Sequence, residues 1–451
     1  MTDLAELPIL APSLDAMVLG RGIVRVRVGL TALATVVLAA AVGCTSGGDG
    51  GARSSAAATS TTVHHNMTPA ALGPDATPRE VRARFEQLLG QHALLAVRQA
   101  RSEVAMAPDL KTVVDSSLAA NARALDQLVG VTYDSAQAAK FEQLWKGYTD
   151  ELSAYAQASA TGNSTGAQET RAALLAQCDD WGAFLDDASA GRVEAATATR
   201  NAQVRVEQLM GQVDAYAGRN YAKAYTLERQ AYEGAYGAGT TLARASLTSK
   251  EAADLNKAPE NLRSAFAMLL GEHMELVVDA QRATFAGSPE FDAAAAQVNA
   301  NTATLTEAMS GIVGPKKAAE FEAAWANHVE GLMAYTAAVA SKDETAKTVA
   351  KENLDAFAER LALYFSDVVR NVLATDPLTD AITAHDAHLI NQADAYAAKD
   401  YARAQQAQDE GYSQMVGVAN VLVDAIEKVM ASDMPAGGSK TGGGGTAHVH
   451  P

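Results

Sequence analysis

The chain is short of several residue types, and each shortage excludes something. Its 451 residues hold two cysteines, Cys44 and Cys178. A disulfide scaffold is therefore excluded, and stability must come from a packed core. Prolines number 12 and aromatic residues make up 6% of the chain, so long stretches run without a helix breaker. Basic residues are outnumbered by acidic ones, 36 against 53, for a formal net charge of −17. No basic face for nucleic acid is expected, and no polybasic segment for anionic lipid. Enzyme signatures are missing too. The chain has no G-x-x-x-x-G-K-[ST] phosphate loop, no G-x-S-x-G nucleophile elbow and no H-E-x-x-H zinc motif. Neither His273 nor His328 has a Glu three residues earlier, so the di-iron carboxylate pattern is absent.

One apolar run stands near the N-terminus, from Val28 to Val42. It is shorter than the roughly 20 residues of a spanning helix. Arg21, Arg25 and Arg27 precede it, and Ala41, Gly43 and Cys44 follow or close it. This arrangement resembles the signal peptide and lipobox of bacterial lipoproteins, with Ala41 where Leu is usual. The resemblance implies cleavage before Cys44 and lipidation of Cys44. Residues 1–16 carry Asp3, Glu6 and Asp15 but no base, so Met17 is the expected start. Residues 44–76 then read as a flexible tether rich in Gly, Ser, Thr and Ala, and 433–451 as a disordered Gly/His tail. The expected location is the extracytoplasmic face of the cell membrane, held by the lipid anchor. With Cys44 acylated, Cys178 has no partner. Leu174, Leu175, Trp181 and Leu185 at helical spacing around it predict a buried, inert thiol.

Between tether and tail the chain repeats itself. Leu88-Leu89-Gly90-Gln91-His92 returns as Leu269-Leu270-Gly271-Glu272-His273, a shift of 181. Phe141, Glu142 and Trp145 return as Phe321, Glu322 and Trp325, and Asp214-Ala215-Tyr216-Ala217 as Asp394-Ala395-Tyr396-Ala397, both shifts of 180. Three landmarks at one spacing identify a tandem duplication. Its two copies are expected as helical bundles over 77–246 and 258–432.

Helical spacing of apolar residues dominates both copies. Six helices are expected per copy. In the first they run near 78–105, 108–129, 135–160, 165–190, 196–217 and 220–245. In the second they run near 259–285, 288–312, 315–340, 343–374, 378–397 and 400–431. Thr77, Pro78 and Glu80 form a capping box that starts the first. Aligning Phe184 with Phe357 predicts a fourth-to-fifth junction seven residues shorter in the first copy. Short connections favour antiparallel neighbours. The fold class is therefore all-α, two tandem antiparallel helical bundles built on a unit of about 180 residues. The last two helices of each copy meet in a stretch that resembles the turn of a tetratricopeptide hairpin, here one packing solution per copy.

Histidine carries what chemistry there is. Of nine histidines, His64 and His65 fall in the tether and His448 and His450 in the tail. Four of the remaining five are in the second copy. His273, His328 and His385 each sit on an apolar stripe of a different helix, with His388 one turn beyond His385. At about 1.5 Å rise per residue, His273 and His328 lie at one depth in parallel helices. Depth favours His388 as the third member, and the apolar stripe favours His385. Inward histidines from facing helices build metal and haem sites in bundles, and neutral imidazole suits copper, zinc or iron. The first copy keeps His92 but has Tyr148, Arg205 and Gln208 at the other three positions. An alternative needs no metal. Asn121 and Asn301 occupy equivalent places on the neighbouring helix, and the pairs His92–Asn121 and His273–Asn301 would explain the repeated histidine without metal.

The succession Leu-Leu-Gly-x-His, Phe-x-x-x-Trp-x-x-His, His-x-x-x-Leu and Asp-Ala-Tyr-Ala-x-x-Asp-Tyr resembles an α-helical repeat family of secreted bacterial proteins. Some of its members are labelled copper amine oxidase. The second copy carries the pattern through His273, Phe321, Trp325, His328, His385, Leu389, Asp394, Tyr396, Asp400 and Tyr401, and the first departs at Tyr148, Arg205 and Asn220. No oxidase activity is carried over, because nothing here resembles a quinone-cofactor site. The expectation is a non-catalytic cell-envelope lipoprotein with a transition-metal or haem site on His273, His328, His385 and His388. The competing expectation is a structural or protein-interaction module without metal.

Overall fold

The structure, a computed structural model, describes residues 72–73 and 75–433. The expected signal peptide, Cys44, the tether histidines and the tail from residue 434 lie outside the described residues. Thirteen helices and no strand occur among them. α1 (Pro78–Val104), α2 (Pro108–Thr132), α3 (Ser135–Ala160), α4 (Ser164–Ala188), α5 (Ala195–Ala217) and α6 (Tyr221–Ser246) form the first half. A short α7 (Ser249–Asp254), not foreseen from the sequence, carries the chain across. α8 (Ala258–Ala286), α9 (Phe291–Val313), α10 (Pro315–Ser341), α11 (Glu344–Val368), α12 (Thr375–Ala397) and α13 (Tyr401–Asp433) form the second. None of these helices is long and apolar enough to cross a membrane.

The expected caps are in place. Thr77 and Glu80 exchange both bonds of the capping box at α1, and Thr248 with Glu251 repeats the device at α7. Each half is an antiparallel bundle wound about its first helix. α1 packs against α2, α3, α5 and α6, and α8 against α9, α10, α12 and α13. Surrounded in this way, α8 is buried without interruption from Leu269 to Ala283. Its central place is what carries His273 into the middle of the second half.

The junction expected to be shorter in the first half is not shorter. α4 and α11 run 164–188 and 344–368, and α5 and α12 run 195–217 and 375–397, a shift of 180 throughout. Both junctions turn on two left-handed residues, Ala190 and Gly191 in one half and Arg370 and Asn371 in the other. Phe184 therefore matches Tyr364, and Phe357 matches Gln177. α11 has aromatic residues at 357, 364 and 365, so matching by aromatic identity slid the register two turns. The same turn ends α11 at Val368, where Ser366 Oγ donates to Leu373 O at 3.0 Å. Pro377 then falls inside the first turn of α12, where its missing N–H costs nothing.

The halves pack against each other about a pseudo-two-fold axis. α6 lies on α9, α13 lies on α2, and α1 meets α8. Equivalent residues consequently meet their own counterparts. The Tyr232 and Tyr412 hydroxyls stand 3.2 Å apart, and Arg79 Nε donates to Glu260 Oε1 at 2.8 Å. The tyrosines explain the repeated glycine. A Cβ on Gly271 would lie 2.8 Å from Tyr232 Oη, and one on Gly90 would lie 2.8 Å from Tyr412 Oη. Buried ion pairs line the same seam, Arg98 with Glu275, and Arg101 with both Glu228 and Asp279. Leu94, Tyr225, Tyr232 and Tyr236 join the second half's apolar core, so the two bundles share one interior.

Candidate metal centre

Three helices bring His273, His328 and His385 together. Their ring centroids form a nearly equilateral triangle, 5.6, 5.6 and 5.7 Å on a side. One nitrogen from each imidazole lies within 4.8 Å of the other two. The three side chains are closed off from solvent, at 0, 1 and 4% residual exposure. Trp325 backs His273 at 4.7 Å, and Phe357 stacks on His328 at 4.5 Å and 17°. Trp325 and Phe357 thus wall off two of the three rings.

None of the six ring nitrogens has a hydrogen-bond partner. That is unusual, since a buried polar atom without one costs roughly 1–3 kcal/mol. The expected asparagine partners are occupied elsewhere. Asn301 Nδ2 donates to Leu269 O at 3.0 Å and to Glu272 Oε2 at 2.7 Å. Asn121 Nδ2 donates in the same way to Leu88 O and Gln91 Oε1. The repeated asparagine therefore ties the second helix of each half to the backbone of the first, and leaves the histidines unserved.

Burial holds the triad in its neutral form. His273 is pushed down to about 3 by burial alone. His328 and His385 lie well below 6.5, first through burial and then through repulsion by neighbouring imidazoles. Neutral imidazole is the state that ligates metal. At metal–nitrogen bonds of about 2.0–2.1 Å, three tetrahedral ligand atoms stand roughly 3.3 Å apart. Contraction by small rotamer shifts would bring the triad to that spacing.

His388 is not a member of the triad. It faces α13, with Nδ1 3.8 Å from Glu410 Oε2, and is partly exposed. Burial lowers its pKa and Glu410 opposes the shift. The apolar stripe, not depth along the helix, identified the right residue.

The sequence reading missed Asp386. It is 4% exposed, and neither carboxylate oxygen has a hydrogen-bond partner. Oδ1 stands 3.4 Å from His328 Nδ1. Burial, and then the charge of Asp355, push its carboxyl well above the usual range. A carboxylate beside a ligating histidine orients the ring and strengthens it as a donor. The available signal was a charged residue directly following His385 on a half-buried helix. The first half has Val206 at that place, Gln177 for Phe357, Tyr148 for His328 and Arg205 for His385.

Comparison with protein-family models, with curated proteins and with solved structures finds no match to this chain.

Proposed function

We propose that the chain is a non-catalytic metal-binding lipoprotein of the cell envelope, its second half holding one divalent transition-metal ion on His273, His328 and His385. One observation carries the reading: three neutral, solvent-free imidazoles converge with no hydrogen bond to any nitrogen. A metal would take one nitrogen from each ring and repay the cost of leaving it unbonded. All-nitrogen ligation suits zinc or copper better than magnesium or calcium, which prefer oxygen. Asp386 would supply negative charge next to the ion and fix His328 in the tautomer that presents its other nitrogen. A porphyrin does not suit this place, because rings 5.6–5.7 Å apart leave no gap for a macrocycle. Complete enclosure favours holding the ion over presenting it to a substrate. Lipidation at Cys44 and the family resemblance remain parts of the proposal that rest on sequence.

The structural alternative without metal requires each histidine to be bonded within the protein, and the asparagines proposed for that are engaged elsewhere. Metal analysis by mass spectrometry of the purified protein, wild type against His328→Tyr, separates the readings. The wild type should retain about one equivalent of zinc or copper after gel filtration, and the variant, which carries the first half's residue, should retain far less. Equal metal content in the two would sink the metal reading.

A further inference from the structure

The half without the triad has a cleft in the corresponding place. It measures about 1070 Å³ and is bordered by α1, α3, α4, α5, α6 and α7. Its floor is buried and largely apolar, with Leu89, Trp145, Leu185 and Leu209. Its rim, at Asn201, Val204 and Asn256, is exposed. Small-molecule sites are commonly about 300–1,000 Å³ and mix apolar walls with a few convergent polar groups.

Those polar groups are present and unpartnered. His92, 4% exposed, lines the cleft with neither ring nitrogen hydrogen-bonded. Arg205, at the position of His385, lines it too and makes no ion pair or hydrogen bond among the described residues. Gly234 makes room for it, since a Cβ there would meet Arg205 Cγ at 2.9 Å. The other charged lining groups are not its partners. Arg192 donates to Leu247 O at 2.6 Å, Glu194 accepts from Thr197 Oγ1 at 2.7 Å, and Glu233 and Arg244 line the cleft without an ion pair to Arg205. Trp145 stands 5.6 Å from Tyr148 and 6.3 Å from Trp181, forming an aromatic wall.

Arg205 lines the cleft without a counter-ion, and the planar fork of a guanidinium matches a carboxylate or another oxyacid. We propose that this cleft binds a small organic anion with a flat apolar body. Its acid group sits on Arg205, and its body lies against Trp145, Tyr148 and Trp181. After duplication, one place in the fold thus serves two ligands, a cation in the second half and an anion in the first.

Isothermal titration calorimetry on the whole protein at pH 7.5 tests this with 1-naphthylacetate and its neutral analogue 2-(1-naphthyl)ethanol. The acid should bind the wild type at least tenfold more tightly than the alcohol. Arg205→Gln should erase that preference, Arg205→Lys should keep part of it, and His328→Tyr should leave it unchanged, which separates the cleft from the metal site. Failure of the acid to bind at millimolar concentration, equal binding of acid and alcohol, or a preference that survives in Arg205→Gln would overturn the proposal. Should the glutamine variant not fold, the wild-type pair of affinities decides by itself.

Discussion

Replacing Asp386 by asparagine changes one charge and almost no volume beside the histidine triad. In the metal-free protein, the carboxyl has no hydrogen-bond partner and burial disfavours its ionised form. Removing it should therefore cost little. With metal present the same carboxylate sits 3.4 Å from His328 and opposes the ion's charge. Losing such an orienting partner typically weakens metal binding about 10- to 100-fold. At free zinc of about 100 times the wild-type dissociation constant, one site stabilises by about 2.7 kcal/mol, and the weakened site by about 1.4 to 0.4 kcal/mol. With roughly 360 residues unfolding together at about 2.1 cal/mol/K each, 1 kcal/mol moves the midpoint by about 1.3 °C. Scanning calorimetry should then show zinc raising the wild-type midpoint by about 3.5 °C and that of Asp386→Asn by about 2 °C or less. The metal-free midpoints should agree within about 1 °C. An Asp386→Asn protein that gains as much from zinc as the wild type would refute the role given to this carboxyl.

The remaining predictions concern neighbouring residues. His388→Gln should change zinc affinity less than about threefold, well under the range for an orienting partner, because His388 faces Glu410; a tenfold loss in calorimetric titration would return it to the site. Gly271→Ala should destabilise by about 1–3 kcal/mol through overpacking against Tyr232 and Tyr412. Gly130→Ala, with nothing within 4 Å of the added Cβ, should stabilise by about 0.4–1 kcal/mol. Urea midpoints compare the two, and equal effects would contradict the tight seam. His92 is held down at about 4 in the folded state by burial, against about 6.5 unfolded. Because the folded value is the lower one, its stabilising share is complete above pH 6.5 and is lost as pH falls toward 4. Between pH 7.5 and 4.5 the loss is about 2.5 kcal/mol, and His92→Gln should show that much less acid destabilisation in urea titrations at the two pH values.

Particular residues show how far the sequence could be read. The capping box at Thr77 and Glu80 and the apolar spacing about Leu88 and Leu269 are local signals. The expected helix limits fall within about three residues of those observed, except that the helix expected to run to 374 ends at Val368. Aligning Phe184 with Phe357 failed because aromatic residues recur two turns apart in α11, and nothing in composition says which of them matches. α7 went unnoticed because six residues are too short to show a period. The pairing of His273 with Asn301 failed for another reason. An amide close to a histidine in space also finds backbone carbonyls, and Leu269 O lies nearer to hand.

By itself the amino-acid sequence determined the all-α class, the duplication, and the helix and stripe on which each histidine sits, because periodicity is encoded residue by residue. It also showed that the two copies differ at His328 and His385. Tertiary structure decided what depends on offsets between helices. It selected His385 over His388, brought Asp386 to His328, closed the second half around the triad and left a cleft in the first. A stripe fixes which side of a helix is buried. Only the axial shift and rotation of its neighbours decide which atoms on that side meet.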